Sequence, residues 1–327
     1  MNNIAAGPKI VYMGTPEFAR GPLKALIEGG YDIAAIVTVP DKPSGRGLKM
    51  NVSAVKNFVR SENLQIPILQ PENLKDPEFI GTLEKINADI FVVVAFRILP
   101  KVIWSMPRLG TFNLHASLLP KYRGAAPINW AIINGETKTG VTTFLLDEDI
   151  DTGAILFQEK TPILPEDDLG TLYDRLMDIG SGLVLRTVDA LYNDLVQAKS
   201  QDNSIQKCPA PKITRETMEI DWNVSAPEIH NRIRGLSPYP ATHTVLRQGD
   251  KCIDVKIFAS KVEASDGRHE KPGRVISDGK KRILVDCATG RLEILELQTA
   301  GKKRLSTRDF LAGWHFGWED IYFGASL

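Results

Sequence analysis

An asparagine and a histidine stand two residues apart in the segment NLHASLLPKYRGAAPINW, residues 113–130. The apolar residues around them read as a short strand over 111–114, and residues two apart on a strand point to the same side. Asn113 and His115 therefore share a face near the strand's carboxyl end. Asp151 follows a second, β-branched strand at residues 140–146. An amide, an imidazole and a carboxylate converging on one crevice suit acyl transfer. Asn113 donates to a developing oxyanion, His115 moves protons near neutral pH, and Asp151 orients the imidazole. A lone histidine is more often structural; the nearby amide and the later aspartate shift the balance. No serine or cysteine is marked as a nucleophile, and Ser117, two residues beyond His115, has no activating neighbour. Direct attack by a substrate nucleophile is the simplest chemistry left.

Other motifs weigh less. Gly14-Thr15-Pro16 follows the first strand, but G-x-G-x-x-G is absent, so a nicotinamide cofactor is disfavoured. Asp151-Thr152-Gly153 copies an aspartic-protease signature, which needs a second aspartate on a matching motif; the chain has no second D-T-G or D-S-G. No G-x-S-x-G elbow is present, and Gly301-Lys302-Lys303 lacks the rest of a phosphate loop. The cysteines Cys208, Cys252 and Cys287 are isolated, with no C-x-x-C, so no metal is expected. The segment PDKPSGRGLK, residues 40–49, carries Lys42, Arg46 and Lys49 among prolines and glycines. It reads equally as a solvated loop or as a mobile arm suited to a polyanion.

Alternating elements must position these residues. Apolar runs at 9–13, 33–38, 66–69, 90–95, 111–114 and 140–146 read as strands. Helical spacing appears after Thr15, a candidate N-cap with Pro16 as first helical residue, and again at 52–61, 77–86, 126–133 and 171–196. Such alternation implies an α/β fold with a doubly wound, mostly parallel sheet, whose ligands sit at the strands' carboxyl ends. Residues 198–217 are polar and proline-bearing. Beyond them, a helix at 226–233 and five strand-like runs at 242–246, 253–258, 274–277, 283–286 and 292–297 suggest a small OB-like β-barrel. The expected domains are 1–203, a linker at 204–217, and 218–327.

The 327 residues hold 40 basic and 40 acidic side chains, which excludes a uniformly basic nucleic-acid coat. The balance is uneven along the chain. Residues 1–203 carry 20 basic against 24 acidic groups, residues 204–327 carry 20 against 16, and 247–308 alone carry 15 against 9. The longest apolar run, 90–96, is seven residues, against about 20 for a membrane span. With no signal-like N-terminus, a cytoplasmic protein without membrane partners is expected.

These residues also carry a resemblance. MGTPEFA (13–19), PDKPSGRG (40–47), MPRLGTFNLHASLLPKYRGAAPI (106–128), IDTG (150–153), KIT followed by IDW (212–222) and AGKK (300–303) are similar to the methionyl-tRNA formyltransferase family over nearly the whole chain. The resemblance implies an α/β formyltransferase domain, a linker and a C-terminal barrel, acting as a monomer. It implies 10-formyltetrahydrofolate as co-substrate, charged initiator tRNA as partner, and Asn113, His115 and Asp151 as catalytic residues. The family's folate-contacting segment falls on Ser117, Leu118, Leu119 and Pro120, and its arm arginine on Arg46, flanked by Lys42 and Lys49. Phe96, Arg97, Ile98 and Leu99 depart from the family's usual Tyr-Gly loop and are closer to glycinamide ribonucleotide formyltransferase; they are expected to line the pterin site. Lys302, Lys303 and Arg304, with Lys280, Lys281 and Arg282, are candidate RNA contacts or equally a solvated face. The alternatives are a formyltransferase for a small amine, such as glycinamide ribonucleotide or an amino sugar, a formyl-folate hydrolase, and a non-catalytic RNA-binding protein.

Overall fold

A computed structural model of the protein describes residues 7–44, 49–202, 204, 208–314, 317 and 320–324. Contacts divide the chain into two compact units. One comprises Met1–Gly124, Lys138–Pro162 and Tyr173–Pro209; the other comprises Ala125–Thr137, Ile163–Leu172 and Ala210–Leu327.

In the first unit, β1 (Lys9–Gly14), α1 (Glu17–Glu28), β2 (Asp32–Val37), the hairpin β3 (Lys42–Ser44) and β4 (Lys49–Asn51), α2 (Ala54–Ser61), β5 (Ile68–Leu69), α3 (Pro77–Ile86), β6 (Ile90–Val94), α4 (Lys101–Trp104) and β7 (Thr111–His115) follow in order. Past residues 125–137, which belong to the other unit and hold α5 (Pro127–Ile133), come β8 (Lys138–Leu145), β9 (Ile155–Pro162) and α6 (Leu169–Tyr192), whose first four residues also belong to the other unit. The sheet runs β5-β2-β1-β6-β7-β8-β9. The pairs from β5 to β7 are parallel; β7 with β8 and β8 with β9 are antiparallel. All five residues of β6 are buried, as are five of six in β1. Strands covered on both faces need such unbroken apolar runs. The chain leaves β1 toward β2 and β5, then returns to the other side at β6. The switch point, where ligands of open α/β sheets collect, therefore lies between β1 and β6.

Three expectations need correction. Thr15 does not cap α1: the N-cap is Pro16, without a side-chain bond, and the Thr15 hydroxyl is buried with no partner. The segment 40–49 is not all loop, because β3 and β4 pair from Lys42↔Asn51 to Ser44↔Lys49. Arg46 lies outside the described residues. The strand β9 was not anticipated; its polar Gln158, Glu159 and Lys160 belong to an edge strand with one open side.

In the second unit, α7 (Arg215–Met218) and α8 (Ala226–Leu236) precede β10 (Thr242–Gln248), β11 (Lys251–Arg268), β12 (Val275–Ser277), β13 (Ile283–Asp286), β14 (Thr289–Thr299), β15 (Leu305–Ser306), α9 (Thr307–Ala312) and β16 (Ile321–Gly324). The helical turn α7 lies in the stretch expected to be linker. Seven strands form the antiparallel sheet β12-β13-β14-β11-β10-β16, with β15 on β14, two more than expected. A bridge between Arg274 and Tyr322 nearly closes it into a barrel. Gly273 is required at that closure. Its φ is +87°, and a Cβ there would lie 2.1 Å from the Phe323 carbonyl oxygen. Inside, Trp222 stacks on Phe323 at 5.5 Å and donates its indole N–H to Thr244 at 3.0 Å, which satisfies the ring's one polar atom. Among the described residues no helix is long and apolar enough to cross a membrane.

The turn between β12 and β13 is organised by one carboxylate. Asp278 Oδ1 accepts the backbone N–H groups of Lys280, Lys281 and Arg282 at 2.9, 2.7 and 3.0 Å. These bonds favour the ionised form and hold its pKa down at about 2. A carboxyl depressed in the folded state stabilises above its unfolded value, near 3.9, and loses that contribution as pH falls toward 2. The three amide resonances are therefore expected to titrate together with a midpoint near 2. In Asp278→Ala, NMR across pH 5 to about 1.5 should show that step abolished.

Candidate functional site

The site grows from the end of β7. Asn113 pairs in register with Val93 of β6 and Phe144 of β8, and His115 with Thr142. Asn113 is half-buried, and no hydrogen bond to its side-chain amide occurs among the described residues. Two N–H donors are thus left for a ligand. His115 is 6% exposed. Its Nε2 lies 2.8 Å from the Tyr122 carbonyl oxygen, an acceptor only, so Nε2 carries a hydrogen. Nδ1 is the nitrogen left to exchange a proton, and it lies 3.8 Å from Asp151 Oδ2.

That distance is too long for a hydrogen bond; the hydrogen bond the ring makes goes to the Tyr122 carbonyl. The Asp151 carboxylate lies beside the ring without bonding to it. The same Oδ2 accepts the Gly124 N–H at 2.9 Å.

Backbone conformations set both groups. Tyr122 has φ +61°, rare for a bulky residue. It is buried, and its N–H donates to the Cys208 carbonyl at 2.6 Å. This rotated peptide directs the Tyr122 carbonyl at His115. Asp151 also has a left-handed φ, +57°, a region aspartate tolerates. Thr152 Oγ1 donates to Asp147 at 2.7 Å. At Gly153 a Cβ would lie 1.6 Å from the Leu145 carbonyl oxygen. Asp-Thr-Gly thus closes the 146–154 connection against the end of β8 as the chain enters β9.

The segment after His115 is stapled to β8 and β9. Ser117 Oγ donates to the Lys121 carbonyl at 2.7 Å, and Thr142 Oγ1 donates to the Ser117 carbonyl at 2.6 Å. Gln158 Nε2 donates to the Leu119 carbonyl at 2.9 Å. Ser117, Leu119 and Pro120 are buried and Leu118 is half-buried. On the neighbouring loop Leu99 joins the core, Phe96 packs against it, and Ile98 is 75% exposed. Lys101 pairs with Glu148 at 2.5 Å, tying the start of α4 to the turn that carries Ile150, itself 60% exposed.

At the switch point lies a cavity of about 750 Å³, lined among others by Thr15, Lys42, Asn51, Ser53 and Arg97. Lys42 and Arg97, assigned by sequence to different ligands, thus line one space. Arg97 donates to the Glu72 and Pro71 carbonyls at 3.0 and 2.8 Å, its Nε is buried without a partner, and burial lowers its pKa. The base of the β3–β4 arm is anchored by residues the sequence reading passed over. Lys56 donates to Asp41 at 2.6 Å and to Gln70, and Gln70 Nε2 donates to Asp41 at 2.8 Å. Hydrogen bonds from Lys56 and then Gln70 lower the Asp41 pKa. The side chain of Lys49 is not described.

In the second unit Lys302 and Lys303 are exposed and form no ion pair among the described residues. Arg304 is engaged: it pairs with Glu296 and lies 4.4 Å over the Phe258 ring. Arg282 is likewise held by Glu263 and Glu293 at 2.7 and 2.8 Å. Lys280 and Lys281 are exposed. Among the described residues no group of three His, Cys, Asp or Glu is placed to hold a metal.

Family models match both parts of the chain: "Formyl transferase" over residues 8–188 and "Formyl transferase, C-terminal domain" over residues 212–315. A sugar 3N-formyl transferase, WlaRD, solved in the presence of dTDP and 5-N-formyl-THF, shares the fold with a TM-score of 0.64 at 21% identity, over 90% of this chain and 99% of that one. HypX from Aquifex aeolicus, solved with tetrahydrofolic acid, matches 93% of this chain and 47% of its own at a TM-score of 0.60 and 15% identity. The class is therefore that of the formyl transferases. Over 310 residues the chain is 50% identical to the methionyl-tRNA formyltransferase of Bacteroides thetaiotaomicron, covering 93% of this chain and 95% of the relative. It is 48% identical over 305 residues to that of Flavobacterium johnsoniae, covering 93% and 96%. The chain belongs to the methionyl-tRNA formyltransferase family, whose members are transferases.

Gly153→Ala should be among the most damaging single-methyl changes in the first unit. Its Cβ meets backbone, so β8 and β9 must part; a loss of about 3 kcal/mol or more is expected. Urea unfolding monitored by tryptophan fluorescence measures it.

Proposed function

We propose that the chain transfers the formyl group of 10-formyltetrahydrofolate to the α-amino group of methionine on initiator tRNA. The observation that carries the chemistry is the pairing of an unengaged Asn113 amide with a histidine fixed at one nitrogen, on one strand face, beside a carboxylate. The free amine attacks the formyl carbon and a tetrahedral oxyanion forms. Asn113 donates to that oxygen. His115, through Nδ1, gives a proton to N10 of the folate as the carbon–nitrogen bond breaks and later takes up the proton released by the amine. Asp151 stabilises the ring while it is charged. An α-amino group titrates near 8, so free base is available at neutral pH.

The donor is assigned to the loops bearing Ile98 and Ile150, where two exposed apolar side chains suit a flat heteroaromatic ring, next to the segment Ser117–Pro120. The acceptor end of the tRNA is assigned to the cavity at the switch point, where Lys42 and Arg97 offer positive charge. The arm with Arg46 and the exposed Lys302 and Lys303 would contact phosphates further along. The names of the relatives support a tRNA acceptor over a small amine.

The deciding assay supplies formyl-labelled folate with charged initiator tRNA, glycinamide ribonucleotide, or neither. Label on the tRNA is expected; label on the small amine or release as formate refutes the assignment. Removing one oxyanion donor costs about 10²–10³ in rate. Asn113→Ala and His115→Ala should each lower kcat on that scale with the fold intact; near-normal turnover in either contradicts the assigned roles. Phosphate contacts release counterions. Affinity for tRNA should therefore fall steeply between about 50 and 200 mM salt, while folate affinity, followed by fluorescence quenching, barely moves.

A further inference from the structure

We propose that Gln201 is a positioning residue that holds the Asp151 turn against the His115 loop, so that turnover depends on a side chain outside the reacting set. Gln201 is 8% exposed. Its Nε2 donates to the Asp151 and Gly153 carbonyls, both at 2.9 Å. Its Oε1 accepts from Arg123 Nη2 at 2.5 Å and Nε at 3.2 Å. Neither end of the amide can be exchanged. Two carbonyls accept and cannot donate, and a guanidinium donates and cannot accept.

The connection is direct on both sides. Arg123 lies between Tyr122, whose carbonyl fixes His115 Nε2, and Gly124, whose N–H binds the Asp151 carboxylate. Asp151 and Gly153 bracket the left-handed turn that carries that carboxylate. One amide therefore joins the loop that holds the histidine to the turn that holds its countercharge. The chain delivers Gln201 by pairing Lys199 with Ile155: each N–H donates to the other's carbonyl, at 2.7 and 2.8 Å, which runs residues 199–201 past the start of β9. A buried double donor onto the Asp151 and Gly153 carbonyls, itself held by Arg123, limits the drift of that turn.

The inference rests on Asn113, His115 and Asp151 being the reacting groups. The test is a double-mutant cycle on the full-length protein, following loss of formyl donor with charged tRNA. Misplacement by about 1 Å can cost on the order of 10²-fold in rate, so Gln201→Ala is expected to lower kcat about 10- to 100-fold. KM for folate and for tRNA should each stay within about twofold. In an Asp151→Asn background the same substitution should cost less than about twofold, because groups acting as a unit are not additive. Gln201→Glu keeps the size and the Arg123 contact but sets a carboxylate oxygen against two carbonyls. It should lose turnover like Gln201→Ala; any fall in its thermal midpoint is measured alongside, and turnover is read well below that midpoint with the protein folded, which separates positioning from folding. Full turnover in Gln201→Glu, or equal losses in both backgrounds, overturns the proposal. An Asp151→Asn protein with normal turnover overturns the catalytic assignment itself, and the proposal with it.

Discussion

The bond from His115 Nε2 to the Tyr122 carbonyl is the constraint on which the rest depends. A histidine free at both nitrogens could rotate and present either one. Tying one to a fixed acceptor leaves a single nitrogen for proton exchange. It also requires Tyr122 to hold a backbone conformation that a bulky side chain rarely adopts. Such a conformation persists only when its surroundings over-determine it. Here the Cys208 carbonyl holds the Tyr122 N–H, and the Thr142 and Gln158 side chains staple the preceding turn.

The edge of the sheet follows from the same requirement. The central strands are parallel and buried, as strands covered on both faces must be. At β7 the pairing turns antiparallel, and β8 and β9 are joined by the connection 146–154, which carries Asp151. A parallel crossover needs a dozen or more residues and would not bring the carboxylate back beside the strand bearing His115 so directly. The glycine that permits the return and the left-handed aspartate before it are one structural device. The protease-like appearance of Asp-Thr-Gly is a coincidence of that geometry.

Much of this was legible in the sequence. The runs at β1, β6 and β7 are apolar enough to read as buried strands, and Asn113 and His115 two apart on a strand already imply a shared face. Asp151 was reachable because it follows a β-branched strand. Other features depend on contacts that no local pattern encodes. Gln201 sits in a polar stretch that reads as solvated, and its burial appears only when Lys199 pairs with Ile155. Tyr122 gives no local sign of a left-handed backbone. Arg304 looks like a free cation until Glu296, eight residues earlier on the neighbouring strand, neutralises it. The Lys56, Asp41 and Gln70 cluster joins three segments, each of which alone looks like surface.

A complex with a non-reactive analogue of 10-formyltetrahydrofolate is the most direct measurement of the central claim. The mechanism places the formyl oxygen about 3 Å from the Asn113 amide nitrogen. It also places N10 on the Nδ1 side of His115, with the Nε2 bond to Tyr122 intact. An analogue bound with its formyl oxygen away from Asn113, or a ring flipped so that Nε2 meets the ligand, would contradict it.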